Sequence, residues 1–141
     1  MQPVIKKLDF GYFPDPNTTD LKDNITQHDG EVVLEFPLNH LVTKDLGETS
    51  RGRLTFSLVT KHVYGPPNDE GFYIHYKNIF DYPVLGFKVD ELYEVTGLQN
   101  EFGKENAQLL NDPTNKHYIF FVKEGTFQCV AQSWKFELLS K

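Results

Sequence analysis

The side chains best suited to chemistry near neutral pH are the five histidines, His28, His40, His62, His75 and His117. An imidazole both moves protons in that range and binds zinc. His62 and His75 lie on either side of the turn-rich stretch Tyr64-Gly-Pro-Pro-Asn-Asp-Glu-Gly71. If the flanking segments pair across that turn, the two rings become cross-strand neighbours, and two imidazoles on one face can hold zinc with a carboxylate or water. The spacing supplies no third ligand, so the reading adopted is two rim histidines and no metal site. His28 and Asp29, with Glu31 nearby, could do acid–base work. An Asp-Gly dipeptide is explained as well by a turn that needs unusual backbone angles. Ser50 and Ser57 have no neighbouring histidine in sequence. Dinucleotide, P-loop, serine-hydrolase elbow, zinc-protease and calcium-loop spacings are all absent. The sequence therefore predicts no catalytic residues and no cofactor, leaving enzymatic activity less favoured than binding. The single cysteine, Cys129, cannot form an intramolecular disulfide and alternates with Phe127 and Ala131, as a small core hydrophobe does.

Aromatic side chains are the second candidate set. Tyr64, Tyr73, Tyr76, Tyr82 and Phe87 cluster in one stretch of sequence. They suit the mouth of a small-ligand site in a barrel, the anchors of a protein interface, or a half-covered sheet. The residues expected to bind are Tyr64, Tyr73, His75 and Tyr82. Phe10, Tyr12 and Phe13 sit in a loop broken by Pro14 and Pro16, either tucked beneath it or displayed as a contact patch.

The elements that must position these residues read mostly as strands. Residues 2–8 suit an edge strand, discouraged from further pairing by Pro3 and two lysines. A turn at Asp29-Gly30 leads into a strand over Glu31–Phe36, ended by Pro37. Arg53–Thr60 alternates, with Leu54, Phe56 and Leu58 facing a core. Phe72–Tyr76 and Val84–Val89 read as further strands. Residues 18–24 suit one helical turn, and Lys104–Asn111, followed by Pro113, one short helix. Tyr118–Val122 is apolar on both faces, as a strand covered on both sides would be. Phe127–Ala131 alternates, then the phase slips by one at Gln132–Ser133, so that Trp134, Phe136 and Leu138 take the inner positions. Such a slip marks a bulge or a change of sheet, with Cys129 and Trp134 both expected in the core. The fold class predicted is mainly β: an antiparallel β-sandwich or partly open barrel of six to eight strands with one or two short helices, in a single domain spanning 1–141.

Composition narrows the partners. Twenty acidic residues against 14 basic ones give a net charge of −6. That argues against nucleic acid, which demands a basic footprint, and is complementary to a basic protein partner. There is no leader-like segment and no long apolar run, so no membrane contact and a cytoplasmic location are expected. Three stretches carry a family resemblance: His28-Asp-Gly-Glu-Val-Val-Leu-Glu-Phe36, Tyr76-Lys-Asn-Ile-Phe-Asp-Tyr82 with Gly86-Phe87, and Phe127-Gln-Cys-Val-Ala-Gln-Ser-Trp-Lys-Phe-Glu-Leu138. Together they resemble small β-rich bacterial immunity proteins of polymorphic toxin systems, over about half the chain, with no counterpart for residues 97–115. The resemblance implies inhibition by binding a toxin, with no catalytic residues to carry over. The functional expectation is a non-catalytic protein-binding module of that toxin-neutralising type, the alternative being a small-ligand barrel or an enzyme built on the aromatic segments around 64–87.

Overall fold

A computed structural model describes residues 2–16, 21–73 and 82–140. These described residues form nine strands in two antiparallel sheets and four short helices, more of each than the sequence pattern counts. The strands are β1 (Val4–Leu8), β2 (Ile25–His28), β3 (Glu31–Pro37), β4 (Arg51–Ser57), β5 (Lys61–Gly65), β6 (Leu92–Thr96), β7 (Lys116–Val122), β8 (Gly125–Ala131) and β9 (Ser133–Ser140). The helices are α1 (Asp69–Tyr73), α2 (Tyr82–Leu85), α3 (Glu101–Glu105) and α4 (Ala107–Leu110). The larger sheet runs β1-β6-β7-β8-β5 and the smaller β2-β3-β4-β9. The sheets do not close into a barrel.

The β7–β8 hairpin is the centre of the larger sheet, and the phase slip beyond it is a change of sheet. β8 ends at Ala131 in one sheet and β9 begins at Ser133 in the other. Side-chain alternation then sorts β7 onto two cores. Tyr118, Phe120 and Val122 face the smaller sheet, meeting Leu34, Phe36, Leu54 and Phe56 from it and Phe127, Cys129 and Ala131 from β8. Rings fill this interior: Phe36 and Phe120 lie 5.5 Å apart between centroids, and Phe56 stacks on Phe127 at 5.4 Å. Ile119 and Phe121 face the other way, beneath Phe72, Tyr82, Phe87 and Leu98. The larger sheet is thus covered on both faces, which is why every residue of β8 is buried. The smaller sheet turns a polar outer face to solvent, where Arg53 bonds Glu35 and Ser57 donates to Glu31.

The β2–β3 hairpin turns on Asp29 and Gly30, both at positive φ (49° and 79°), the backbone a two-residue hairpin needs. At the β7–β8 turn the chain needs Gly125 for space, since a Cβ there would lie 2.7 Å from the Tyr64 ring. Gly52 is held likewise by Phe136 of β9, at 2.6 Å.

Several sequence readings are corrected. Val84–Val89 is no strand: α2 occupies Tyr82–Leu85, Pro83 suits a first helical turn, and Gly86 ends it at φ 102°. Phe72 and Tyr73 end α1 instead of starting a strand, because Asn68 Oδ1 accepts the Gly71 N–H and the Phe72 ring turns under Tyr82 and Phe121. The rest of that expected strand, and residues 18–20 of the helical turn expected over 18–24, lie outside the described residues; Leu21–Asn24 is a turn closed by the Asn24 N–H donating to the Leu21 carbonyl. Strand β4 stops at Ser57, leaving Leu58 at φ 54° and 62% exposed instead of in the core, as the chain turns toward β5. The expected helix over 104–111 is two short ones, broken at Asn106, whose side-chain amide donates to the Phe102 carbonyl. Cys129 is fully buried as expected, but Trp134 is only half-buried, since β9 is the rim of its sheet.

Candidate functional site

Among the described residues, the histidines and tyrosines singled out by sequence do not converge. His62 pairs with Cys129 across β5 and β8, not with a strand beyond the turn at 65–71. His28 Nε2 and Asp29 Oδ2 lie 3.0 Å apart at a hairpin tip, both side chains largely exposed. Tyr64 packs half-buried against the core between the sheets. Tyr82 is buried on the opposite face of the larger sheet, stacked on Phe72 at 5.8 Å. Tyr73 is 58% exposed. His75 lies outside the described residues. Among the described residues, no group of three or more His, Cys, Asp or Glu could hold a metal ion.

The structure instead opens a cleft of about 180 Å³ between the loop after β1 and the approach to β6. Lys7, Asp9, Phe10, Tyr12 and Phe13 line one side and Asp90 and Glu91 the other. The loop is shaped from within: Asp9 Oδ1 accepts the Gly11 N–H at 2.7 Å, and Pro14 bridges to Leu38 at the end of β3. Phe10 and Tyr12 are tucked, with Phe10 stacked on Phe136 at 4.9 Å and Tyr12 5.5 Å from the same ring. Phe13 is not; it is 41% exposed. Its carbonyl accepts the Asn39 N–H, which brings it beside a second loop that displays Leu41 and Val42 at 82% and 63% exposure.

Asp90 is the unusual group. It holds φ 72°, a backbone region in which Asp and Asn are the tolerated non-glycine residues. Its amide donates to the Phe121 carbonyl at 2.6 Å, fixing it against β7. Its Oδ1 is buried with no hydrogen-bond partner. Burial, then the negative charges of Asp69, Asp15 and Glu91, push its pKa up from 3.8 to about 6. Glu91 differs, for it is matched: Lys7 Nζ lies 3.0 Å away and the Tyr93 hydroxyl donates to it at 2.5 Å. The cleft thus gathers negative charge with one uncompensated carboxylate and an apolar border. Its charged lining is Lys7, Asp9, Asp90 and Glu91, three carboxylates against one ammonium. The sequence signal was slight: consecutive acids after an apolar run, and an aromatic loop that only the fold brings alongside.

A second polar group, on the far face of the larger sheet, is structural. Asn100 caps α3 by accepting the Gly103 N–H at 2.8 Å, and its amide donates to Gln128 Oε1 at 2.9 Å. His117 Nε2 reaches the same oxygen at 2.9 Å. Burial lowers the His117 pKa from 6.5 to about 4, partly offset by that bond, so the ring is neutral and donates. Phe102 packs over it at 5.1 Å. Every member has a partner, as a buried polar network requires. No helix among the described residues is long and apolar enough to cross a membrane. No family model, curated protein or solved structure matches the chain, so its function has to be read from the chemistry of this cleft.

Proposed function

We propose that the chain is a non-catalytic protein-binding module whose partner is a basic protein, of the kind a toxin-neutralising immunity protein meets. The observation that carries this reading is an acid-lined cleft around Asp90, whose Oδ1 is buried without a partner, with the exposed ring of Phe13 in its lining and, beside the Phe13 backbone, a loop that displays Leu41 and Val42. A lysine or arginine from a partner would offset the negative charge that Asp9, Asp90 and Glu91 bring to the cleft, an attraction that strengthens as water is excluded around it. The apolar border is the type of surface that seals such a contact. The net charge of −6 would steer a basic partner toward it.

The test is a comparison of two immobilised baits in native lysate, the natural chain and a Phe13→Ser/Leu41→Ser/Asp90→Asn variant. Retained proteins are identified by mass spectrometry, then purified and titrated calorimetrically. The expected result is a basic protein held by the first and lost, at least tenfold in Kd, by the second. Identical retained sets on the two baits, or a partner insensitive to the three substitutions, would overturn the proposal.

A further inference from the structure

We infer that β9 is a self-complementary edge through which two copies of this chain join their smaller sheets into one continuous sheet. The strand lies last in the order β2-β3-β4-β9, and among the described residues it pairs only with β4. A free edge offers a row of unmatched N–H and C=O groups, and proteins normally blunt it with proline, short length, bulges or like charges. The other edges carry such protection. β1 follows Pro3 and carries Lys6 and Lys7; β5 runs into Pro66 and Pro67; β2 is four residues long. In β9 the register against β4 is regular from Ser133 to Leu138, with the only irregularity beyond it, and the stretch contains no proline or glycine.

Its side chains choose both the partner and the register. Lys135 and Glu137 stand two residues apart on the outer face, both exposed, and meet only in a long 3.7 Å ion pair with each other. Pair β9 with a second β9, antiparallel about a two-fold axis through Phe136. Each Lys135 then stands directly opposite Glu137 of the other copy, and Trp134 opposite Leu138. Slide the pairing by two residues either way, the shift that keeps the faces matched, and Lys135 meets Lys135, or Glu137 meets Glu137, which is unfavourable for residues directly opposite. On the inner face Trp134, Phe136 and Leu138 are each only partly buried, because the sheet ends beside them. A second β9 extends the cover over all three. The occupant that satisfies the backbone, the charges and the apolar row together is another β9.

Analytical ultracentrifugation of the full chain from about 1 to 200 µM should show a monomer–dimer equilibrium. Lys135→Glu and Glu137→Lys should each weaken it by about tenfold or more, since each sets like charges opposite twice. An equimolar mixture of the two variants should recover the dimer, as a complementary heterodimer. Circular dichroism of each variant checks that these surface changes leave the fold intact. Separately, Lys135→Cys mixed with Glu137→Cys should form an interchain disulfide that neither forms alone, because directly opposed residues in an antiparallel pair lie about 4.5–5.5 Å apart between Cα atoms. A natural chain that stays monomeric at 200 µM overturns the inference. So does a mixture of charge variants that associates no better than either alone.

Discussion

Replacing Asp90 by asparagine should stabilise the fold near neutral pH, by an amount that follows from its surroundings. The backbone at φ 72° suits asparagine as well as aspartate, so the substitution brings no strain. It removes a negative charge from a site where Asp69, Asp15 and Glu91 repel it and where Oδ1 has no donor. The pKa rises from 3.8 to about 6, a shift of about two units, and at roughly 1.4 kcal/mol per unit the ceiling is about 3 kcal/mol. The side chain is partly open to solvent, and screening reduces that to about 1–2 kcal/mol. Between pH 3.8 and about 6 the folded state holds the proton that the unfolded state has released, so this carboxyl costs stability progressively as pH rises, and the full cost persists above that range. Urea unfolding of the two proteins should therefore separate them at about pH 7.5 and bring them together near pH 3.5. An equal gain at both pH values would show that ionisation of Asp90 is not the cause, and a loss at pH 7.5 would refute the reasoning outright. If the cleft receives a partner's cation, the same variant is both more stable and a poorer binder, the trade expected of a functional charge.

His117 acts in the opposite sense. Its folded pKa of about 4 lies below the unfolded 6.5, so its contribution is complete above pH 6.5 and falls, by on the order of 3 kcal/mol, as pH drops toward 4. His117→Gln should flatten the pH dependence of unfolding across that window. Asn100→Ala removes the α3 cap and one donor to Gln128, and should cost about 1–3 kcal/mol by denaturant unfolding. Gly125→Ala forces a Cβ against the Tyr64 ring and the Gly65 carbonyl and should cost about 1–3 kcal/mol, less when introduced into a Tyr64→Ala chain, where only the carbonyl contact remains. Phe120→Ala, at the centre of the interior between the sheets, should cost about 3–5 kcal/mol, read as a fall in urea midpoint at constant slope.

What was legible in the sequence was whatever a local pattern determines. The two-sided apolar run Tyr118–Val122 announced a strand covered on both faces, the slip at Gln132 announced a bulge or a change of sheet, and Asp29-Gly30 announced a turn leading into a strand. Strands whose edges and faces lie half in water, β2 and β5, carry no such pattern and were not recognised. Val84-Leu-Gly-Phe-Lys-Val89 alternates like a strand, yet Leu85, Phe87 and Val89 pack into the cluster around Phe121 while Val84 stays exposed, a choice made by tertiary contact. The cleft was hidden for a related reason. Asp9 and Asp90 are distant in sequence, and only the pairing of β1 with β6 lays the loop after one strand against the approach to the other.

The single residue between β8 and β9 also sets which insertions and deletions this fold can accept. The chain crosses from one sheet to the other at Gln132 with no loop to absorb a change of length. Deleting that residue would offer Ser133, Lys135 and Glu137 to the interior and turn Trp134, Phe136 and Leu138 outward. The loop at 38–50, by contrast, can lengthen by any number without altering the parity of a strand. Among natural or engineered variants of this chain, length should therefore drift at 38–50 and stay constant at 132.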